Sequence, residues 1–475
     1  MGDPFARLGS TMVRWRWLVV VFWLAVVVAA GVFLVPKAST VVKGGGYAVP
    51  GSDSLKAGQI LDSKFNQSAR NTVVVVFRST SQTVDDAGYR DQVNAATDDL
   101  KQVQGVRSVT TFFNSGDPSF VSKDRHTTVA SVAIEGDEGQ TQNTVPKLRD
   151  ALSGVSIEHY ITGTPAINYD LTRSSKEDLH RAEFITIPVV LVFLVIIFRT
   201  LVAASVPLIL GACGVALAES AIYLIGLQTD ISVYALNVAS MIGLGLGIDF
   251  SLIVITRFRE ERAKGRATPD AVAMTMATAG RSITYSAVTV MLAMLVLTLL
   301  LLPLMIVRSI SLGVLIVAVA SLLAGLTLLP ALLGILGHRI EWLRVIPRRK
   351  GRSTGQPGIW YRLSHAIMGR PWVWLLVSLA ILVAVAFPVR HLGTVGADPG
   401  ILPTDKESVQ GIRVMNEALG ANRLTPIQIV VQTDKDGIWK PEFLDALNQL
   451  TTTVAADPRS DQVRSLTTLA NTMGV

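Results

Sequence analysis

The chain has little of what a soluble catalytic site needs. It has a single cysteine, Cys213, so no internal disulfide can form, and its apolar neighbours make it a small buried hydrophobe. Six histidines (His126, His159, His180, His338, His365 and His391) are scattered, with no HExxH and no Cys/His spacing. That argues against a metal site. No Walker A run occurs, which argues against a nucleotide-driven motor. Charge is also scarce. Asp, Glu, Lys and Arg make up 17% of the 475 residues, against 50% hydrophobic ones. That balance is too apolar for a soluble chain of this length and implies an integral membrane protein.

Long apolar runs are what the sequence does have. They lie at 17–36, 184–198, 201–227, 231–256, 282–307, 309–337 and 371–389, so seven membrane helices are expected. Arg14 and Arg16 precede the first run, which makes a signal peptide the rival reading there. Two segments are strongly basic. One holds Arg257, Arg259, Arg262, Lys264 and Arg266; the other holds Arg339, Arg344, Arg348, Arg349, Lys350 and Arg352. The positive-inside rule puts both in the cytoplasm, and counting helices puts the N-terminus there too. Residues 37–183 and 390–475 are then outside. The net charge of +7 follows from the same segments. The linker over 338–370 faces anionic lipid heads in this reading. Nucleic acid is not an expected partner, because no aromatic residue interleaves the basic run.

The outer region 37–183 carries a regular order: strand 71–77, helix 87–103, strand 106–113, strand 127–134, helix 141–152, strand 157–162. That is βαββαβ, the ferredoxin-like split βαβ arrangement. Part of the chain then starts again. "WRW" at 15–17 answers "WVW" at 372–374. "TVVVVF" at 72–77 falls against "IVVQTD" at 429–434, and "VRSVTT" at 106–111 against "VRSLTT" at 463–468, all at one offset. The copy of the first run sits mid-chain, so the first run is expected to be a retained helix. The second copy is expected to stop after strand, helix and strand. A second polypeptide supplying the missing half is then a possible partner.

The chemistry centres on "GLGLGIDFSLIVITRFREERAKG", residues 243–265. Asp249 lies eight residues before Arg257, about 12 Å into the membrane. A charge there costs about 2.5–3.5 kcal/mol, so the neutral form is favoured and the carboxyl group is suited to take up and release a proton. The plainer reading is a structural Asp bonded to a neighbouring helix. Gly243 and Gly247 form a small-xxx-small face for close helix packing; no strand precedes them, so they are not a phosphate cradle. Glu219 is a second intramembrane carboxyl group near the outer end of its helix. It either admits protons from outside or snorkels to the interface. Thr289, at a depth similar to Asp249, either bonds that carboxyl group or bonds its own backbone. In the segment 264–281, Thr268 is expected as N-cap, with Pro269 at the first helical position, opening an amphipathic helix on the inner membrane surface.

These stretches resemble the MMPL family of the resistance-nodulation-division superfamily. "GLGLGIDFSLIVITRFREE" (243–261) is similar to the family's fourth-helix motif, and "TGTPAINYDL" (162–171) and "AGRSITYSAVTV" (279–290) are similar to its segments around the second and fifth helices. The resemblance covers the whole chain. It implies a bacterial plasma-membrane protein that exports lipids or other hydrophobic molecules, driven by the proton motive force and needing no cofactor. It implies no enzyme activity. The implied organisation is a cytoplasmic N-terminus and first helix (1–36), a porter domain (37–183) and a five-helix bundle (184–337) with a cytoplasmic amphipathic segment (257–281). A basic linker (338–370), a seventh helix (371–389) and a partial second porter domain (390–475) follow. In the family an Asp-Tyr pair on the fourth helix faces a matching pair on the tenth, and the two form the proton relay. Here the Asp is Asp249, the Tyr position is Phe250, and the tenth helix lies outside the chain. Two alternatives stand beside this reading: a protein-export accessory of the SecDF type, and a non-transporting remnant or scaffold.

Overall fold

A computed structural model describes residues 3–44, 49, 51–65, 71–136, 138–301, 304–346, 359–391, 402–420, 427–433, 437–458, 460 and 463–468. In chain order its main elements begin with α1 (Pro4–Arg14), α2 (Arg16–Val41), β1 (Val42–Lys43) and α3 (Asp53–Ile60). Then come β2 (Thr72–Arg78), α4 (Ala87–Gln102), β3 (Val106–Thr111), β4 (Thr127–Ile134), α5 (Glu138–Leu152) and β5 (Glu158–Thr162). The membrane part follows with α6 (Thr164–Phe198), α7 (Leu201–Gly226), β6 (Ile231–Ser232), α8 (Tyr234–Ala263), α9 (Thr268–Leu299) and α10 (Met305–Glu341). The last are α11 (Ile359–Gly369), α12 (Pro371–Arg390), α13 (Glu407–Leu419) and α14 (Pro441–Ala455). Residues 1–52 with 68–424 form one compact unit, and 53–67 with 425–475 a second.

Seven of these helices (α2, α6, α7, α8, α9, α10 and α12) are long and apolar enough to cross a membrane, and the chain is a multi-pass membrane protein. The bundle is held by small residues at helix crossings. A Cβ on Gly247 would lie 2.4 Å from Gly211 Cα, and one on Gly214 2.8 Å from Ser321 Oγ. Such positions let α7, α8 and α10 approach backbone to backbone, which is how apolar helices gain dispersion energy where no hydrophobic effect drives them together. Trp23 Nε1 donates to Thr327 Oγ1 at 3.0 Å and ties α2 to α10. At the other end of α2, β1 pairs in parallel with β6 just before α8.

Two membrane elements depart from expectation. The second helix does not begin at 184: α6 is continuous from Thr164, 35 residues long, running from the end of β5 into the membrane. Its start is set by Gly163 at φ 99, where a Cβ would meet Thr72 O at 2.8 Å, so only glycine fits the corner. Nor is 264–281 a separate surface helix. Thr268 opens α9 itself, which passes through a π-helical turn at Met276–Gly280 and runs on to Leu299. Ala267, not Thr268, is the N-cap. Val272 and Met276 are fully buried rather than lipid-facing, because α1 lies against them; a Cβ on Gly9 would be 2.8 Å from Met276 Cγ.

Between α2 and α6 the first unit forms a four-stranded antiparallel sheet in the order β3-β4-β2-β5, with Val75 opposite Ala130 on one side and Ile161 on the other. Helices α4 and α5 supply Val93, Leu100, Leu148 and Leu152 to the core on one face. The other face is covered too. Val74 and Val76 pack against Val414, Met415 and Leu419 of α13. A strand buried on both faces needs no polar alternation, which accounts for the unbroken "TVVVVF". An ion cluster locks α13 in place. Arg149 donates through two nitrogens to the Asp170 carboxylate (2.9 and 3.0 Å), and its Nε lies 2.6 Å from Glu407 Oε2. Glu407 Oε1 in turn accepts from the Ile161 amide.

In the second unit α3 and α14 are helical, but the strands expected at 429–434 and 463–468 do not form among the described residues. Residues 427–433 are in no strand, and 466–468 form a helical turn; 434–436 lie outside the described residues. An extended segment becomes a strand only when a neighbour completes its hydrogen bonds, and no described segment there does so. Residues 347–358 of the basic linker lie outside the described residues.

Candidate proton-relay site

The site is built on α8, whose two sides differ in kind. Gly243, Gly247 and Phe250 recur at helical spacing on the inner side and are buried. A Cβ on Gly243 would come within 2.5 Å of Val317 Cγ2 and 2.9 Å of Val215 Cγ2. Phe250 fills the bundle core beside Gly325. Asp249 is two residues on from Gly247, about 200° round the helix, and its side is the exposed one. Gly245, one turn earlier, has nothing within 4 Å of its Cβ position. Among the described residues Asp249 has no hydrogen bond or ion pair. The bundle therefore aims this carboxyl group away from its own core, and Phe250 points elsewhere.

Thr289 is exposed on α9, and its hydroxyl donates to Tyr285 O at 2.9 Å, within its own helix. It is not joined to Asp249. Glu219 lies on α7, seven residues from its end at Gly226. Asp249 lies fifteen residues from the start of α8 at Tyr234. The two depths differ by about 12 Å at 1.5 Å per residue, and the structure does not bring them together. Glu219 instead has Glu183 and Lys176 of α6 as its charged neighbours.

Glu183 is not among the residues that the sequence singled out, because it stands at the edge of an apolar run. In the structure the fully buried Ser240 of α8 donates its hydroxyl to Glu183 Oε1, and His180 Nδ1 lies 3.7 Å from Oε2. The charged stretch 173–183 was the available signal, but its helical face could be assigned only once α6 was seen to be continuous.

At the opposite end of the bundle the basic residues are structural. Arg259 donates to Phe198 O at 2.8 Å and to Thr200 Oγ1 at 3.2 Å, and pairs with Glu341 at 2.8 Å. It thereby closes the tight α6–α7 turn, where Arg199 takes a left-handed φ of 62. Glu261, almost wholly buried, is met by Arg257, Lys264 and Arg266 at 2.8–3.0 Å. Among the described residues no group of His, Cys, Asp and Glu could hold a metal ion.

Among known proteins, residues 47–373 match the MMPL family. The chain belongs to the MMPL family. A putative membrane protein of Streptomyces coelicolor is 34% identical over 82% of this chain and 54% of its own length. MmpL11 of Mycolicibacterium smegmatis, named a mycolic acid-containing lipids exporter, is 29% identical over 97% of this chain and 48% of its own; the MmpL11 of Mycobacterium tuberculosis is named a heme uptake protein. The trehalose monomycolate exporter MmpL3 of Mycobacterium tuberculosis is 27% identical over 90% of this chain and 48% of its own. This MMPL chain thus spans about half the length of the curated relatives it matches.

Proposed function

We propose that this chain is one half of a proton-driven exporter of lipids or other hydrophobic molecules, with Asp249 as its proton-carrying group. The observation that carries the reading is the outward aim of Asp249. A carboxyl group at membrane depth is costly without a partner, and this one faces away from every described helix. A second repeat covering that face would supply the partner. The whole of α12 is likewise exposed, as a span awaiting neighbours would be. In this reading the βαββαβ unit with its 2-3-1-4 strand order is a ferredoxin-like porter domain outside the membrane. The continuous α6 links it rigidly to the bundle. The Glu183–Ser240–Glu219 group is the way in for protons. The lipid class of substrate rests on the names of the MmpL11 and MmpL3 exporters.

The test is export from energised vesicles holding this chain together with a polypeptide that supplies the second repeat. Export should stop with a proton uncoupler and with Asp249→Asn, which is nearly isosteric but carries no proton. Phe250→Tyr should leave export intact. Uncoupler-sensitive export that survives Asp249→Asn rules this residue out and leaves Glu219 and Glu183 as the carrying groups. Uptake of heme in place of lipid export would move the substrate class to that of the MmpL11 heme uptake protein.

A further inference from the structure

At the junction of α1 and α2 lies a recess of about 650 Å³, lined mainly by Ser10, Arg14, Trp15, Arg16, Trp17 and Pro269. It exists because the chain bends there. Trp15 leaves helical geometry (φ −102, ψ 21), and α2 begins at Arg16 with no side-chain cap. An amphipathic helix thus ends and a membrane span begins at the same point. No carboxylate lines the recess; Asp270 follows Pro269 but is not part of the lining. Arg14 is exposed and has no ion pair or hydrogen bond among the described residues. Arg16 gives one nitrogen to Gly334 O at 3.1 Å, and its other donors meet no described acceptor. Trp15 and Trp17 are 53% and 64% exposed, and Leu18 and Phe22 continue an exposed apolar face along α2. Two unneutralised guanidinium groups, two tryptophans and an apolar wall meet where the span enters the bilayer.

We propose that this recess binds the phosphate head of an anionic glycerophospholipid, with its acyl chains along the exposed face of α2. The arginines supply forked donors that match phosphate oxygens. Tryptophan favours the headgroup level, where its ring is half in hydrocarbon and its N–H is wet. A soluble anion would match the arginines but gain nothing from the tryptophans and Leu18. The inference needs only that α2 crosses the membrane, and does not depend on transport.

The experiment reconstitutes the full chain in nanodiscs of phosphatidylcholine containing phosphatidylglycerol and counts retained lipids by native mass spectrometry after mild extraction. Phosphatidylglycerol should be retained over phosphatidylcholine. Arg14→Gln should weaken retention about fivefold, and Arg14→Gln with Arg16→Gln about thirtyfold. Arg14→Lys, which keeps the charge but not the fork, should weaken it less than Arg14→Gln does. Because Arg16 also bonds Gly334, Arg14→Gln is the deciding variant, and an unchanged Tm shows that its fold is intact. Equal retention of both lipids, no effect of Arg14→Gln, or displacement of the lipid by inorganic phosphate would each overturn the proposal.

Discussion

At the scale of single residues, the glycines of α8 separate packing from chemistry. Gly247 and Gly245 are two residues apart in one motif, yet their surroundings are opposite. A methyl group at 247 meets Gly211 backbone at 2.4 Å, where no flexible side chain can give way; at 245 it meets nothing. Gly247→Ala should therefore force α7 and α8 apart and cost about 1–3 kcal/mol, lowering Tm in detergent by several degrees. Gly245→Ala should be neutral or slightly stabilising, since alanine is the better helix former. Equal Tm values for the two variants would mean that the α7–α8 crossing is looser than described. The same contrast separates the arginines. Arg259 is built into the α6–α7 turn, whereas Arg14 has no protein partner among the described residues.

At the scale of elements, α13 and α6 are bound to α5 by one guanidinium. Arg149 is held charged although burial works against it, because Asp170 and Glu407 outweigh that penalty. Removing it leaves two carboxylates facing each other with no cation between them. Arg149→Met should destabilise the attachment by about 3 kcal/mol. Hydrogen exchange should then show lost protection over Glu407–Leu419, with α7 and α8 unchanged. If α13 keeps its protection, its apolar contacts through Val414, Met415 and Leu419 suffice to hold it. Gly411 bears on the same docking, since a Cβ there would sit 3.0 Å from Thr162 Cβ on β5.

At the scale of the whole molecule, the charges of the connecting segments imply an orientation. Lys264 lies beyond the end of α8 among the basic residues, and Lys123 lies between β3 and β4; both are exposed. On a Cys213→Ala background, Lys123→Cys should react with an impermeant thiol reagent added outside. Lys264→Cys should react only after the membrane is permeabilised. The reverse pattern would invert the topology and put the sheet in the cytoplasm.

The amino-acid sequence by itself determined where the apolar runs lie and the order of the elements in the four-stranded sheet domain. A run of apolar residues and a run of β-branched residues are local features, and local sterics and desolvation act on them wherever the chain goes. Strand 127–134 has the same limits in the sequence reading as in the structure, and helix 87–103 differs by one residue. Asp249 was legible as well, because a carboxyl group among apolar residues is conspicuous without a fold. Only the tertiary structure decided which way each side chain faces and what covers it. That Asp249 points out of the bundle while Phe250 points in depends on the position of α7 and α10. That Glu183 meets Ser240 depends on α6 being one helix from Thr164. That "TVVVVF" is buried on both faces depends on α13, more than 300 residues further along the chain. Burial and pairing belong to the arrangement of all the helices together, and no window of sequence contains it.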